Sequence, residues 1–517
     1  MKLSLVSTHH DEVREVAPLG LAYLATYLQD KKGFSSTSVI DVNNGPVLEQ
    51  LRREKPDVIG ISAMTLNYGT SIMLARKIKE EFDVPVILGG VHVSTLPDSL
   101  SQEFDLAVLG EGEETLAQLV DLYEKDGAFP AEKLEAIDGV LYRKDGRLKK
   151  TKPRELIPDL DDIPAPDRKF LGDEYFQRRV VFWDDGALGV ETSIFTSRGC
   201  PYNCVFCSSS MFWNKVRFNS AQHFVDEVKY LNEKFKVTHM LIWDDLFAVS
   251  VKRLGEISEL MKKEGLADKV QFWGQMRSNI VNEQLCKDLV KMNVRCLAFG
   301  FESGSNRMLR YLKGEHMSVE QHLKAAKLCL DHGIKVNGSL IFGSPTETLE
   351  EMDESLAFIR KLGEMGCSDL GAYVMTPFPG TKVWEIAKER GKVKEDMDWT
   401  QLQLYGYENP MTLDEGISKE EFAKRYREAR RLVGLINSRK AKRWKMLYNR
   451  LRYYPVKTLK EVVKRPRRAM RFVRRLLFGK YWASYKDDIP DVEHEKKTDT
   501  MPVQPDKHSQ LDGEGSC

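Results

Sequence analysis

The sequence predicts an α/β protein built in five parts. These are a doubly wound, Rossmann-like domain over residues 1–135, a linker over 136–190, a partial (β/α)6 barrel of TIM type over 191–420, a helical basic region over 421–483 and a disordered tail over 484–517. Three observations carry this division. Short apolar strands alternate with amphipathic helices in two separate runs. Proline-bearing chain lies between the runs. The basic residues concentrate after the second run.

The first run can be taken element by element. KLSLVS reads as a strand, and LGLAYLATYLQDK as a helix with apolar i, i+3, i+4 spacing. STSVID and DVIGIS are further strands, followed by the helix SIMLARKIKEEF. VPVILGG and DLAVLG complete the strands, and EETLAQLVDLYEK is the closing helix. A parallel sheet of this kind binds ligands beyond the carboxyl ends of its strands, where Leu88–Gly90 and Leu109–Glu114 fall. The linker holds a hairpin, GVLYRKDGRLKK, and then Pro158, Pro164 and Pro166, which argue against helix. The second run supplies six strands: TSIFTS, THMLIW, VQFWGQM, RCLAFGF, KVNGSLIF and LGAYVMT. Six strand–helix units suggest a barrel whose chemistry sits at the carboxyl ends of its strands.

At 517 residues and 42% hydrophobic, the chain can bury two or three cores. Its opening, MKLSLVSTHHDEV, does not read as a signal peptide, and no apolar run reaches the ~20 residues of a membrane span. A cytoplasmic protein is expected. Net charge is +1, but residues 439–480 hold 17 Lys or Arg against one acid, Glu461, so the remainder is strongly acidic.

Eight cysteines are distributed unevenly. None precedes Cys200, three fall together at Cys200, Cys204 and Cys207, and Cys286, Cys296, Cys329, Cys367 and Cys517 are scattered. That is one metal site plus ordinary thiols, not a disulfide framework. Thiolates bind iron–sulfur clusters, and three cysteines leave one iron of a four-iron cubane open for a ligand. A zinc knot is the competing reading, but zinc takes four ligands and the nearest other candidate is His223.

From TSRGCPYNCVFCSSS onward, over roughly residues 190–400, the chain resembles the radical S-adenosylmethionine (SAM) superfamily. The resemblance rests on the CxxxCxxC spacing, with Phe206 before the last cysteine, and on a series of strand-end motifs. It implies a [4Fe-4S] cluster on Cys200, Cys204 and Cys207, which cleaves SAM to a 5′-deoxyadenosyl radical. It also implies SAM contacts from Asp244 of LIWDDLF, with Asp245 beside it at the same strand end, Gln275 and Arg277 of GQMR, Glu302 and Ser303 of GFESGS, and Gly343 and Pro345 of GSLIFGSPTET. TPFPGT (Thr376–Thr381) matches the sixth strand end. No further catalytic residue is assigned.

APLGLAYLA, DVIGISAMT, VILGGVHVSTLPD and VLGEGEET resemble the cobalamin-binding domain that precedes the core in one large subgroup. The resemblance implies cobalamin contacts from Leu19, Ser62, Thr65, Gly89, Gly90, His92, Gly110, Glu111, Gly112 and Glu113. No D-x-H-x-x-G is present, which implies cobalamin without a histidine on its lower face; a domain that no longer binds cobalamin is the alternative. The subgroup implies methylation of an unactivated carbon on a small-molecule or lipid-type substrate, with an external electron donor such as flavodoxin or ferredoxin. Radical cyclisation or oxidoreduction, with or without cobalamin, stays open, as does a non-enzymatic zinc or iron–sulfur interaction module. A methylthiotransferase is disfavoured because no cysteine precedes Cys200.

The basic segment 439–480 interleaves Arg and Lys with Trp, Tyr, Phe and Leu. Such segments dock on anionic membranes, which points to peripheral contact with the inner membrane face. A solvated helical cap is the alternative, and nucleic acid is the weaker partner.

Overall fold

Strand order decides where each sheet opens. In the first sheet β1 (Leu3–Ser7), β2 (Thr37–Asp41), β3 (Val58–Ser62), β4 (Val86–Gly89) and β5 (Leu106–Val108) run parallel in the order β2-β1-β3-β4-β5. That order places a switch point between β1 and β3 at their carboxyl ends. Nearly every residue of β1, β3, β4 and β5 is buried, as parallel strands covered by helices on both faces require. The computed structural model describes residues 1–9, 17–213, 215–402, 411–413 and 416–438. The basic segment 439–480 and the tail 484–517 lie outside the described residues.

Two boundaries differ from the sequence expectation. The hairpin β6 (Val140–Lys144) and β7 (Arg147–Lys150), assigned to the linker, extends the first sheet, with β6 antiparallel to β5. The strand β8 (Arg178–Val181) pairs antiparallel with β9 (Ala187–Ile194) in the second sheet. The chain connecting the two sheets therefore shrinks to 151–177. It is tied to both units: the Arg168 guanidinium donates to Glu227 at 2.7 Å and to the Ser193 carbonyl, and Tyr175 donates its hydroxyl to Asp41.

The short antiparallel pair β10 (Ser197–Arg198) and β11 (Arg217–Phe218) brackets the cysteine cluster. Then β12 (His239–Ile242), β13 (Gln271–Met276), β14 (Val294–Glu302), β15 (Lys335–Phe342) and β16 (Leu370–Val374) continue from β9 in sequence order, all parallel. The six parallel strands form an open barrel. Alternation sets its two faces: Phe272, Gly274 and Met276 are buried toward the helices, whereas Gln271, Trp273 and Gln275 face inward and are half-buried.

The helix Lys419–Asn437, expected in a separate C-terminal region, belongs to the barrel. Tyr426 donates to the Ala372 carbonyl at 3.1 Å. The Asn437 amide both accepts from Leu370 N and donates to Leu370 O, which pairs the first residue on the open edge of β16.

The two units share an apolar core. The cluster holding Val6, Ile61 and Leu88 of the first sheet continues through Met308, Leu312, Trp384 and Trp399 of the second unit. This fixes their mutual orientation, so that the carboxyl ends of both sheets face one space.

Candidate functional site

The space between the two sets of strand ends is a cavity of about 380 Å³. One wall is the first sheet, through Gly60–Ser62, Ile87–Gly90, Val108 and Gly110–Glu113. The opposite wall is Phe195, Ser197, Arg198, Phe212, Trp213, Trp243 and Asp245, all at or beyond strand ends of the second unit. Leu21 and Leu24 of the helix Leu19–Lys32, with Leu116 of the helix Glu113–Asp126, extend the cavity as an apolar cleft beside the sheet.

The structure tests whether this space suits a bulky corrinoid. Cβ atoms built on Gly20, Gly89 and Gly110 meet nothing within 4 Å, so these glycines leave room that any side chain would take up. The residues fit the group. Gly90 has another purpose. Its φ of +105° is open to glycine, and a Cβ there would collide with the Ala63 carbonyl. It is needed for backbone packing beside the cavity, not for room inside it.

Of the ten expected cobalamin contacts, Ser62, Gly89, Gly90 and Gly110–Glu113 line the cavity. Three do not. Leu19 packs with Ala17, Leu171 and Tyr175 against the linker. His92 and Thr65 are buried partners at 3.2 Å, and the second His92 nitrogen pairs with Ser99 at 3.1 Å. The ring stacks on Tyr68 and meets Trp399 edge-on. Burial pushes its pKa down to about 4. His92 is a neutral core residue. The resemblance implied a cobalamin contact here, but the short helix Val91–Thr95 turns the ring inward.

The cysteine loop is held at several points. Gly199 has φ +96°, packs against Trp213 and Lys215, and donates its amide to Asp245 at 3.0 Å. Val205 donates its amide to Leu312 O and accepts at its carbonyl from Val383 N, so two helices clamp the loop. Cys200, Cys204 and Cys207 are half-buried. Burial raises the Cys200 thiol and pushes Cys207 up to about 11. Three soft thiol donors on one loop suit the corners of an iron–sulfur cluster. Among the described residues no three His, Cys, Asp or Glu side chains, these cysteines included, are gathered around one point.

The expected SAM contacts divide similarly. Asp244 is removed from the set. It is buried, and its two oxygens accept from Thr196 N, Thr196 Oγ1, Ser197 N and Ser197 Oγ at 2.6–3.1 Å, which uses its acceptor capacity. Its neighbour Asp245 lines the cavity instead. Arg277 donates to Cys204 Sγ at 3.3 Å and to Lys313 O, and its guanidinium lies 3.8 Å from the centre of the Tyr202 ring. It therefore serves the cysteine loop. Glu302, with φ +60° at a β-bulge, pairs with Lys313 at 3.1 Å. Ser303 is buried beside Ser355 and accepts from Ser305 N. The Gly343 amide donates to Glu347, and Pro345 is buried. Gln275 projects into the barrel.

Sequence reasoning missed the charged bridge between the units. Arg198 donates to Glu111 at 2.6 Å and to Glu113 at 2.7 Å. Arg217 donates to Glu111 at 2.9 Å, and Trp213 lies beside both guanidinium groups. Burial opposes Arg198's charge, but Glu113 and Glu111 reverse this and raise its pKa. Glu111, which burial alone would raise, is held below the ordinary carboxylate range by Arg217 and Arg198. The signal available was Arg198 standing two residues before Cys200.

Comparison with known proteins agrees with this division. The B12 binding domain family matches residues 13–120, and the Radical SAM superfamily matches residues 194–359. An uncharacterized methyltransferase of Pyrococcus horikoshii is 33% identical over 381 residues, covering 72% of this chain and 78% of that protein. An anaerobic magnesium-protoporphyrin IX monomethyl ester cyclase of Rubrivivax gelatinosus is 26% identical over 437 residues, covering 81% and 74%. Among solved structures, the radical S-adenosylmethionine methyltransferase TsrM of Kitasatospora setae, with cobalamin and a [4Fe-4S] cluster bound, aligns with a TM-score of 0.63 at 19% identity. The alignment spans 76% of this chain and 79% of that one, a likeness of fold.

Proposed function

This chain belongs to the cobalamin-dependent radical SAM enzymes, with a [4Fe-4S] cluster, SAM and cobalamin as cofactors, and we propose that it methylates an unactivated carbon of a substrate seated in its barrel. The observation that carries this reading is the shared cavity. The glycine-lined strand ends of the first sheet face, across a single space, the residues on either side of the cysteine loop: Ser197 and Arg198 before it, Phe212 and Trp213 after it. When bound, the cluster and SAM supply hydrogen-atom abstraction, and cobalamin supplies the methyl group.

Cys200, Cys204 and Cys207 would hold the cluster. Arg277 donates an N–H to Cys204 Sγ, which fixes the direction of that side chain. Asp244 fixes Thr196 and Ser197 ahead of the loop, and Asp245 fixes Gly199. Glu302 and Ser303 at the end of β14, and Gly343 and Pro345 after β15, would contact SAM. Gly89 and Gly110 would admit the corrinoid, and Leu21, Leu24 and Leu116 would exclude water around its tail. An external one-electron donor of the flavodoxin or ferredoxin class would reduce the cluster.

Anaerobic reconstitution with iron, sulfide and hydroxocobalamin tests the reading. About four irons and one corrinoid per chain are expected. With a host extract, 5′-deoxyadenosine and S-adenosylhomocysteine should form together, alongside a methylated product. Deoxyadenosine without S-adenosylhomocysteine would favour radical cyclisation instead, a reading supported by the length of alignment with the Rubrivivax cyclase.

A further inference from the structure

The cavity has two parts of different chemistry. One lies across the strand ends. The other is a cleft that runs down one face of the first sheet, between its strands and the helices Leu19–Lys32 and Glu113–Asp126. Register gives its depth. Leu5 and Gly60 are cross-strand neighbours at the centres of β1 and β3. Both line the cavity, so the cleft reaches about 7 Å below the strand ends, at roughly 3.3 Å per residue. Leu5 leans over Gly60 as the floor: a Cβ on Gly60 would meet Leu5 Cδ2 at 2.8 Å. Leu24 leans in the same way over Gly112, whose Cβ would meet Leu24 Cδ2 at 3.3 Å.

Among the described residues, the side chains of this cleft are all apolar: Leu5, Leu21, Leu24, Ile87, Val108 and Leu116. The polar residues of the cavity stand elsewhere. Glu111 and Glu113 are held by Arg198. Tyr23 turns to Phe195 and to the Arg198 guanidinium. Ser62 is at the end of β3, and Ser197 and Asp245 are on the opposite wall. A corrinoid matches this division. Its ring, rimmed by amides, suits the open strand ends, where Gly89 and Gly110 leave room. The flat base on its nucleotide tail is the part that suits an apolar cleft. Corrinoids differ in that base, which is dimethylbenzimidazole in cobalamin and an adenine or a phenol in related cobamides. Adenine in this cleft would give up the hydration of its amino group and ring nitrogens and find no partner in return. Dimethylbenzimidazole leaves one ring nitrogen, and p-cresol, joined through its oxygen, leaves no donor.

We propose that this cleft selects the corrinoid by its appended base, admitting dimethylbenzimidazole or p-cresol and discriminating against adenine, with Leu24 and Leu116 as specificity-determining residues. The selection works by penalty: the wrong base is refused because its polar atoms are stranded, with no added attraction for the right one. The proposal rests on cobalamin binding by the first domain and is independent of the reaction that follows.

The test uses the full-length protein, carrying its iron–sulfur cluster and freed of corrinoid. It is dialysed anaerobically to equilibrium against cobalamin, p-cresolylcobamide, adeninylcobamide or cobinamide, which lacks the nucleotide, and bound corrinoid is read by absorbance. Cobalamin and p-cresolylcobamide should bind comparably. Because p-cresol cannot ligate cobalt, their agreement separates the cleft from any effect of cobalt coordination. Adeninylcobamide should bind at least about tenfold more weakly, the scale of one polar group buried unpaired. Cobinamide should also lose about tenfold or more, for want of a buried base. Leu24 is half-buried, so Leu24→Asn can place an amide in the cleft, and it should shrink the preference for cobalamin over adeninylcobamide to within about threefold. Leu24→Met should keep the preference. Equal binding of cobalamin and adeninylcobamide to the native protein, or of cobalamin and cobinamide, would overturn the proposal and leave corrinoid binding standing. An undiminished preference in folded Leu24→Asn would overturn it too, and the native comparisons decide without that variant. Retention of none of the four corrinoids would overturn it together with the cobalamin assignment.

Discussion

Arg198 and Glu111 meet at 2.6 Å across the boundary between the two units, 87 residues apart in the chain. The arginine lies two residues before Cys200, and both it and the glutamate line the cavity. Glu111 also accepts from Arg217 and from Ile157 N, so a single carboxylate joins the first sheet, the connecting chain and the cluster loop. Glu111→Gln should leave Arg217 and Arg198 partly unpaired in a buried setting. A loss of about 3–5 kcal/mol is expected, seen as a fall in Tm of roughly 3–5 °C for a chain of this size. Glu113→Gln, which touches Arg198 alone, should cost clearly less. Equal Tm for Glu111→Gln and the native protein would contradict the bridge.

Gly89 and Gly90 are adjacent but should behave differently. Gly89→Leu projects into open cavity, so corrinoid retention should fall by at least about tenfold while Tm of the cofactor-free protein stays close to native. Gly90→Ala forces a side chain at φ +105° against Ala63 and should lower Tm whether or not corrinoid is present. Absorbance of the bound corrinoid and a thermal melt distinguish the two.

The Asp244–Asp245 pair separates in the same way. Asp244→Ala strands two buried backbone amides and two hydroxyls and should cost at least about 3 kcal/mol. Asp245→Asn keeps the shape and exchanges a carboxylate for an amide on the cavity wall. It should retain the fold and weaken SAM binding by roughly tenfold, the scale of one charge-assisted hydrogen bond. Calorimetric titration with SAM checks this.

His92 gives the protein an acid-sensitive core. Its folded pKa of about 4 lies below the unfolded value of about 6.5. The neutral ring's contribution is therefore complete above the unfolded value and is lost as pH falls from about 6.5 toward 4, by up to about 3 kcal/mol. His92→Gln should show a lower Tm at pH 7.5 and a shallower decline on acidification. Parallel pH profiles for the two proteins would refute it.

Residues 439–480 are expected to bind anionic membrane, each basic side chain adding about 1 kcal/mol near the surface. Truncation should fall after Ser438, because Asn437 pairs the first residue on the edge of β16. The truncated protein should lose binding to phosphatidylserine-containing vesicles and still cleave SAM. Full-length binding should weaken as salt rises and vanish on neutral vesicles. Equal, negligible binding of both proteins at low salt would exclude the membrane.

The fold was legible because its signals are local. Apolar strands alternating with amphipathic helices prescribe parallel sheets, and all six barrel strands fall where their hydrophobic runs stand. The CxxxCxxC loop was equally plain, since ligand spacing is a property of one segment. Gly89 and Gly110 could be read from their place at strand ends, where ligands of such sheets bind.

What only the tertiary structure decided is where each side chain near a motif points, and which distant segment it meets. Asp244 and Asp245 are identical in type and adjacent, yet one is consumed by Thr196 and Ser197 while the other faces the cavity. His92 stands beside the glycine pair, but one helical turn carries its ring into the core. The Glu111–Arg198 bridge joins residues that share no local pattern. Composition and periodicity report which face of an element is buried. The partner it is buried against depends on how two complete sheets dock, and that docking was set by the apolar cluster running from Ile61 to Trp399.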